Sequence, residues 1–194
     1  GRDLPGPEVL GAGQDDDEGH RSALRRRVVL PLGRRVTLGH PLHGVVCRAA
    51  DEVGPQARVD FALYGTIDPA EGASRIAEQV AAGVAAFKFS TFGTHPTRFP
   101  RINPPLLAEA FAEVAKTGLT AGVHNEDDEF VRAAMDAVKA AGITDWRAHA
   151  MSRPPLAELL ATLQVYETGV ATGAAAHIVH CSLSRGYDIA ADYR

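Results

Sequence analysis

From about residue 58 onward the apolar positions follow two periods in turn. Compact apolar runs at 59–64, 84–90, 119–124 and 175–181 have the length of buried strands, and glycine or polar residues bound them. Between them, helical spacing is seen over 70–82, through Ile76, Val80 and Ala81, and over 104–117, where Pro105 suits a first turn. Asn125 reads as the N-cap of a helix reaching about residue 141, with Glu126, Asp127 and Asp128 in its first turn, where carboxylates suit the helix dipole. A helix over 154–168 ends near Gly169, and another starts at Arg185. Strands alternating with helices predict an α/β fold with a parallel sheet, either an open doubly wound sheet or a (β/α)8 barrel. Both place their chemistry at the C-terminal ends of the strands.

Residues 1–57 do not share this pattern. Short strands are conceivable only at 28–32 and 36–38, and no element is assigned before about residue 58. Arginine is also concentrated there, with eight in the first 50 residues against nine in the remaining 144. The reading therefore divides the chain into 1–57, a divergent start or a shifted reading frame, and 58–194, the α/β part.

Composition narrows the class. The 194 residues are 45% hydrophobic and 23% charged, with net charge −4 and pI near 6.1, which argues against a nucleic-acid or anionic-membrane binder. Cys47 and Cys181 form neither a CxxC pair nor a disulfide framework, so a reducing, cytoplasmic setting is expected. No run approaches the roughly 18 apolar residues of a membrane span.

Three of the predicted strands finish on residues able to bind metal or move protons: Lys88, His124 and His180. Side chains alternate faces along a strand, so Ala86 and Lys88 oppose the aromatic set Phe87 and Phe89, and His124 opposes Ala121 and Val123. The same parity selects His180 on the fourth strand and sets His177 on the other face. A single strand histidine is usually a hydrogen-bonded core or rim residue, and a single lysine usually reaches for solvent. Three at equivalent strand ends point to a metal site. His40 and His43 read as loop residues, and Asp15 to Glu18 as a solvated patch without calcium-loop spacing. Glu126 to Glu129 is explained by capping, with Glu126 a weaker candidate for supporting the neighbouring site. No phosphate-loop, Gly-x-Gly-x-x-Gly or Gly-x-Ser-x-Gly motif occurs.

Five blocks in order resemble the cyclic amidohydrolases of the amidohydrolase superfamily, the hydantoinases or dihydropyrimidinases, allantoinases and dihydroorotases. They are Val-Asp-Phe-Ala-Leu-Tyr-Gly from residue 59, Gly-Val-Ala-Ala-Phe-Lys-Phe from 83, Val-His-Asn-Glu-Asp from 123, Ser-Arg-Pro-Pro-Leu-Ala-Glu from 152 and His-Ile-Val-His-Cys-Ser from 177. The resemblance implies a (β/α)8 TIM barrel with two zinc ions bridged by a carboxylated lysine. Lys88 matches that lysine, and His124 and His180 match the histidines of the next two strands, which bind one of the metals. A carbamate explains the choice of lysine: an ammonium cannot bind a cation, whereas two carbamate oxygens can bridge metals about 3.5 to 4 Å apart.

The family's His-x-His pair of the first strand and its last-strand Asp have no match, so no catalytic residue is assigned. The expectation is a partial barrel, about strands three to six, and a chain inactive alone. Its parent would open a hydantoin, allantoin or dihydropyrimidine-type ring, with a dihydroorotase-type activity or a non-catalytic interaction module as alternatives. His95 and Arg98, in the loop after the lysine strand, are candidates for contacting a small cyclic amide or ureide. The resemblance also implies a homo-oligomer, dimer or tetramer.

Overall fold

The computed structural model describes residues 41–95 and 99–194, which pack into one unit. Its elements are α1 (Pro41–Val53), β1 (Tyr64–Gly65), α2 (Ile76–Ala81), β2 (Ala86–Ser90), α3 (Pro104–Ala115), β3 (Thr120–His124), α4 (Asp128–Ala140), α5 (Arg147–Met151), α6 (Pro155–Thr172), β4 (Ala175–Ile178) and α7 (Ser184–Asp192). The possible strands at 28–32 and 36–38, His40 and the patch at 15–18 lie outside the described residues.

All four strands are parallel and stand in the order β1-β2-β3-β4. A doubly wound sheet reverses direction at a switch point, whereas here each strand adds beside the one before it, as in a barrel wall. The register fixes the two faces. Phe87 pairs with Ala121 and Ala121 with Ala176, while Phe89 pairs with Val123 and Val123 with Ile178. This set faces the helices: Phe87, Phe89, Ala121 and Val123 are at most 1% exposed and share one core with Phe111 and Val165. The opposite, open face carries Lys88, Gly122 and His177 at one level and Ser90 with His124 at the next.

Helix α3 shows why the pattern folds this way. Asn103 accepts a hydrogen bond from the Leu106 N–H at 3.0 Å, and Pro104 and Pro105 occupy the turn where no donor is needed. Leu107, Ala110, Phe111 and Val114 then form one buried stripe, with the Phe111 ring 6.1 Å from that of Phe89.

Several expectations are corrected. Asn125 does not cap α4; Asp127 does, accepting from the Phe130 N–H at 3.0 Å, because Asn125 is buried and donates to Thr162 Oγ1 at 2.6 Å. Gly169 does not end α6, which continues to a left-handed Gly173 at φ 73°. A Cβ on Gly169 would stand 2.9 Å from Ala176 Cβ, so this glycine permits close packing of helix on strand. The 70–82 helix shrinks to α2, since the chain first turns through Gly72 at φ 68°. β1 keeps only Tyr64 of the 59–64 run, continuing to Gly65, and Val59 is exposed.

Neither α1 nor α5 was expected. Helix α1 takes in His43, which had read as a loop residue, and Val46 joins the main core. Among the described residues no helix is long and apolar enough to cross a membrane.

Candidate metal centre

Lys88 lies two residues before the end of β2, His124 closes β3, and His180 follows β4 by two residues. Strand parity placed the first two correctly and failed on the third. His177 shares the open face with Lys88 and Gly122, and its ring approaches the position a Gly122 Cβ would fill. Ala176 and Ile178 face the helices instead. His180 still reaches the site, because β4 stops at Ile178 and the chain beyond Val179 leaves strand geometry. Its ring meets that of His124 edge to face, with centroids 5.3 Å apart.

The Lys88 Nζ sits 4.2 Å from the centre of the Phe99 ring. Phe99 is held there by reciprocal backbone hydrogen bonds with His95, at 3.2 and 3.3 Å. Burial lowers the Lys88 pKa below the ordinary ammonium value, which increases the share of neutral amine. His180 is also lowered, first by partial burial and then by the nearby charges of His124 and Lys88, which favours the neutral imidazole that binds metals.

Among the described residues no three His, Cys, Asp or Glu side chains cluster as a metal site. Only the His124 and His180 rings meet here among the described residues, so a third ligand beside them would come from another residue type. A carbamate on Lys88 would make three protein ligands, the usual number around a catalytic zinc that keeps one position open. The donors present therefore fit one ion. They do not fit a pair.

Beside the two histidines lies an open cleft of about 290 Å³, lined by Thr94, His124, Asn125, Glu126, His149, Arg153, Glu158, His180 and Ser182. His124 Nε2 is 2.7 Å from Glu126 Oε2, and Arg153 Nε is 3.2 Å from Glu126 Oε1. The His124 hydrogen bond holds the Glu126 carboxyl below its usual range against the opposing effect of burial, and the charges of His124, Arg153 and His149 add to this. Thr91 fixes the backbone of the same turn. Its hydroxyl accepts from the Glu126 N–H at 3.0 Å and lies 2.8 Å from the Glu126 carbonyl oxygen. On the far side, Glu158 accepts from the N–H of Ser182 at 2.8 Å and from its hydroxyl, tying the loop after His180 to α6.

Of the two loop candidates, His95 is exposed and its neighbour Thr94 lines the cleft, while Arg98 lies outside the described residues. Sequence reasoning did not single out Thr91, Arg153, Glu158 or Ser182. The last three fall inside the quoted blocks from residues 152 and 177, so their signal was motif membership, because spacing carried none.

No family model matches the sequence. The chain is 34% identical over 135 residues to an allantoinase of Solibacter usitatus, a match covering 70% of this chain and 29% of that protein. It is 35% identical over 138 residues to an allantoinase of Rubrobacter xylanophilus, covering 71% and 30%. Among solved structures, the L-hydantoinase (dihydropyrimidinase) of Arthrobacter aurescens superposes with a TM-score of 0.74 at 26% identity, over 78% of this chain and 33% of that one. The chain thus spans about a third of the length of the relatives it matches. Sequence and fold agree that it belongs to the cyclic amidohydrolases of the amidohydrolase superfamily.

Proposed function

We propose that this chain carries the ligand set for one metal ion of a zinc-dependent cyclic amidohydrolase, and that the whole protein hydrolyses a ring C–N bond in a small ureide or amide. Allantoin and hydantoin are the favoured ring types, because the similar proteins are named allantoinases and hydantoinases. The observation that carries the reading is the placement of Lys88, His124 and His180 toward the C-terminal ends of three adjacent parallel strands, the two imidazoles in contact and the Lys88 charge near enough to act on His180.

Lys88 as its carbamate, His124 and His180 would hold the ion. A bound zinc would polarise the ring carbonyl and lower the pKa of a water. The residues of the chain prepare that site. The neutral Lys88 amine attacks carbon dioxide, forming an N–C bond and releasing one proton, and leaves an anionic carbamate that can ligate. Burial of Lys88 favours the reacting amine, and the Phe99 ring covers it. Arg153, His149 and Thr94 border the cleft and offer donors to the polar edge of a ureide ring.

The His-x-His pair and the closing Asp are absent from this sequence, so the ligands of a second ion are not on this chain. The chain purified with zinc and bicarbonate is expected to hold one zinc by elemental analysis, to lose it in Lys88→Ala, and not to open allantoin or hydantoin. Zinc-free wild-type chain would sink the metal reading. Ring opening by the chain alone would sink the half-site reading.

The missing His-x-His also favours a second reading, a barrel kept as a non-catalytic interaction module. Zinc binding without turnover by the whole protein would support it.

A further inference from the structure

Helix α6 is apolar on both sides. Ala157, Ala161, Val165 and Gly169 recur every four residues, face inward and are buried. Leu156, Leu160, Leu163 and Val170 stand on the opposite side and are 38% to 67% exposed. A surface helix ordinarily turns a polar face to water, and a helix apolar all round is a buried one. Among the described residues no other element carries more than one exposed large apolar side chain. Single residues of that kind are ordinary, whereas a contiguous row marks a contact surface. This row lies on the side of α6 away from the sheet, so adding strands to the sheet would leave it uncovered.

The spacing of the row says what fits it. Leu156, Leu160, Leu163, Glu167 and Val170 follow the alternating four and three of a helix-pairing seam. The row also reads nearly the same in both directions from Leu163, with Leu156 and Val170 seven residues to either side and Leu160 balanced by Tyr166. A surface with that symmetry matches itself across a two-fold axis. The charges agree. Helix α6 holds Glu158 and Glu167 and no basic residue, which leaves nothing to attract an anionic lipid or a nucleic acid. Glu158 is bound to Ser182, and Glu167 is engaged by the Tyr193 hydroxyl. Parallel copies would set Glu167 against Glu167, whereas antiparallel copies centred on Leu163 separate the two by about 12 Å along the axis.

We propose that the outward face of α6 is a docking surface for a second copy of this chain, the two helices packing antiparallel about a two-fold axis through Leu163. The face is about 21 Å long and about 10 Å wide. That is less than the roughly 800 Å² per partner of a standard complex, so the pairing is reversible, with a dissociation constant on the order of 10 to 100 μM. The paired helix is also the one whose Thr162 and Glu158 hold the turns beside His124 and His180. The pairing itself does not depend on the metal reading.

The test is sedimentation velocity of the full 194-residue chain, with reductant, at concentrations from about 5 to 500 μM. The expected result is a monomer–dimer equilibrium that Leu163→Glu weakens by more than about 100-fold, because it sets two carboxylates face to face on the axis. Under mild oxidation Leu163→Cys should form a disulfide with its own copy. Val59→Cys, exposed elsewhere on the chain, should give only the background of the wild type. The cysteine variant keeps the test informative if the glutamate variant misfolds. A chain monomeric at every concentration overturns the proposal. So does a dimer that Leu163→Glu leaves intact, which would be pairing through its sheet edges. Crosslinking of Val59→Cys in the same yield as Leu163→Cys overturns it as well.

Discussion

Replacing Gly169 with alanine sets two effects of opposite sign against each other. Within α6, alanine is favoured over glycine by about 1 kcal/mol of helix propensity. The new Cβ, however, would lie 2.9 Å from Ala176 Cβ and 3.2 Å from the Ala174 carbonyl oxygen. Carbon atoms pack best at roughly 3.5 to 4.0 Å. Neither neighbour is the tip of a flexible side chain, so α6 and β4 would have to separate by several tenths of an ångström. Overpacking of this kind costs about 1 to 3 kcal/mol. The strain should win, with a net loss of about 1 kcal/mol.

Urea unfolding followed by circular dichroism measures this, and the midpoint should fall without a change in slope. Since β4 leads directly to His180, zinc affinity should fall as well. Gly173→Ala is the control. That residue sits at φ 73° with nothing within 4 Å of its would-be Cβ, so alanine costs about 1 to 2 kcal/mol through the left-handed backbone alone. It should spare zinc affinity. A raised midpoint in Gly169→Ala would refute the argument, since helix propensity would then have outweighed the contact.

Three further outcomes follow from named contacts. Thr162→Val removes the nearer of two acceptors for the buried Asn125 amide, leaving the Glu158 carbonyl at 3.4 Å, and should cost about 1 kcal/mol in urea unfolding. Asp127→Ala should lower stability by about 1 kcal/mol, in keeping with loss of an N-cap, and Asp127→Asn should recover most of it. Chelation of a zinc present at 100 times its dissociation constant should remove about 2.7 kcal/mol of apparent stability, and the thermal midpoint of Lys88→Ala should not respond to the chelator.

The parts of this fold that were legible in the sequence are those where one requirement dominates. The stripe of Leu107, Ala110, Phe111 and Val114 could serve only a helix packed on an apolar surface, and Phe87 and Phe89 had to share the helix-facing side of their strand. Where two requirements compete, local reading chose the wrong one. Asn125 is as good a cap as Asp127 by residue type, and the decision came from Thr162, 37 residues away. Gly169 looked like a helix end because glycine serves equally for a left-handed turn and for close approach. Lys88 and His124 were placed on one face correctly because their strands run regularly through them. His180 was chosen by extending strand parity past the point where the strand stops.

That last case bears on how four parallel strands bring the proposed ligands together. Parity alone would have given the open face Lys88, His124 and His177, but Gly122 and His177 stand level with Lys88, below the rim. The chain must leave the sheet after Val179 for an imidazole to reach the end of β3. Glu158 on α6 secures that exit by binding both the N–H and the hydroxyl of Ser182, two residues after His180. The position of His180 therefore depends on a helix that precedes its strand, while that of His124 depends on the turn that follows its own. Because each of the two histidines is supported by its immediate neighbours in the winding order, a contiguous run of β/α units would suffice for the proposed one-ion site without the strands that would supply the other.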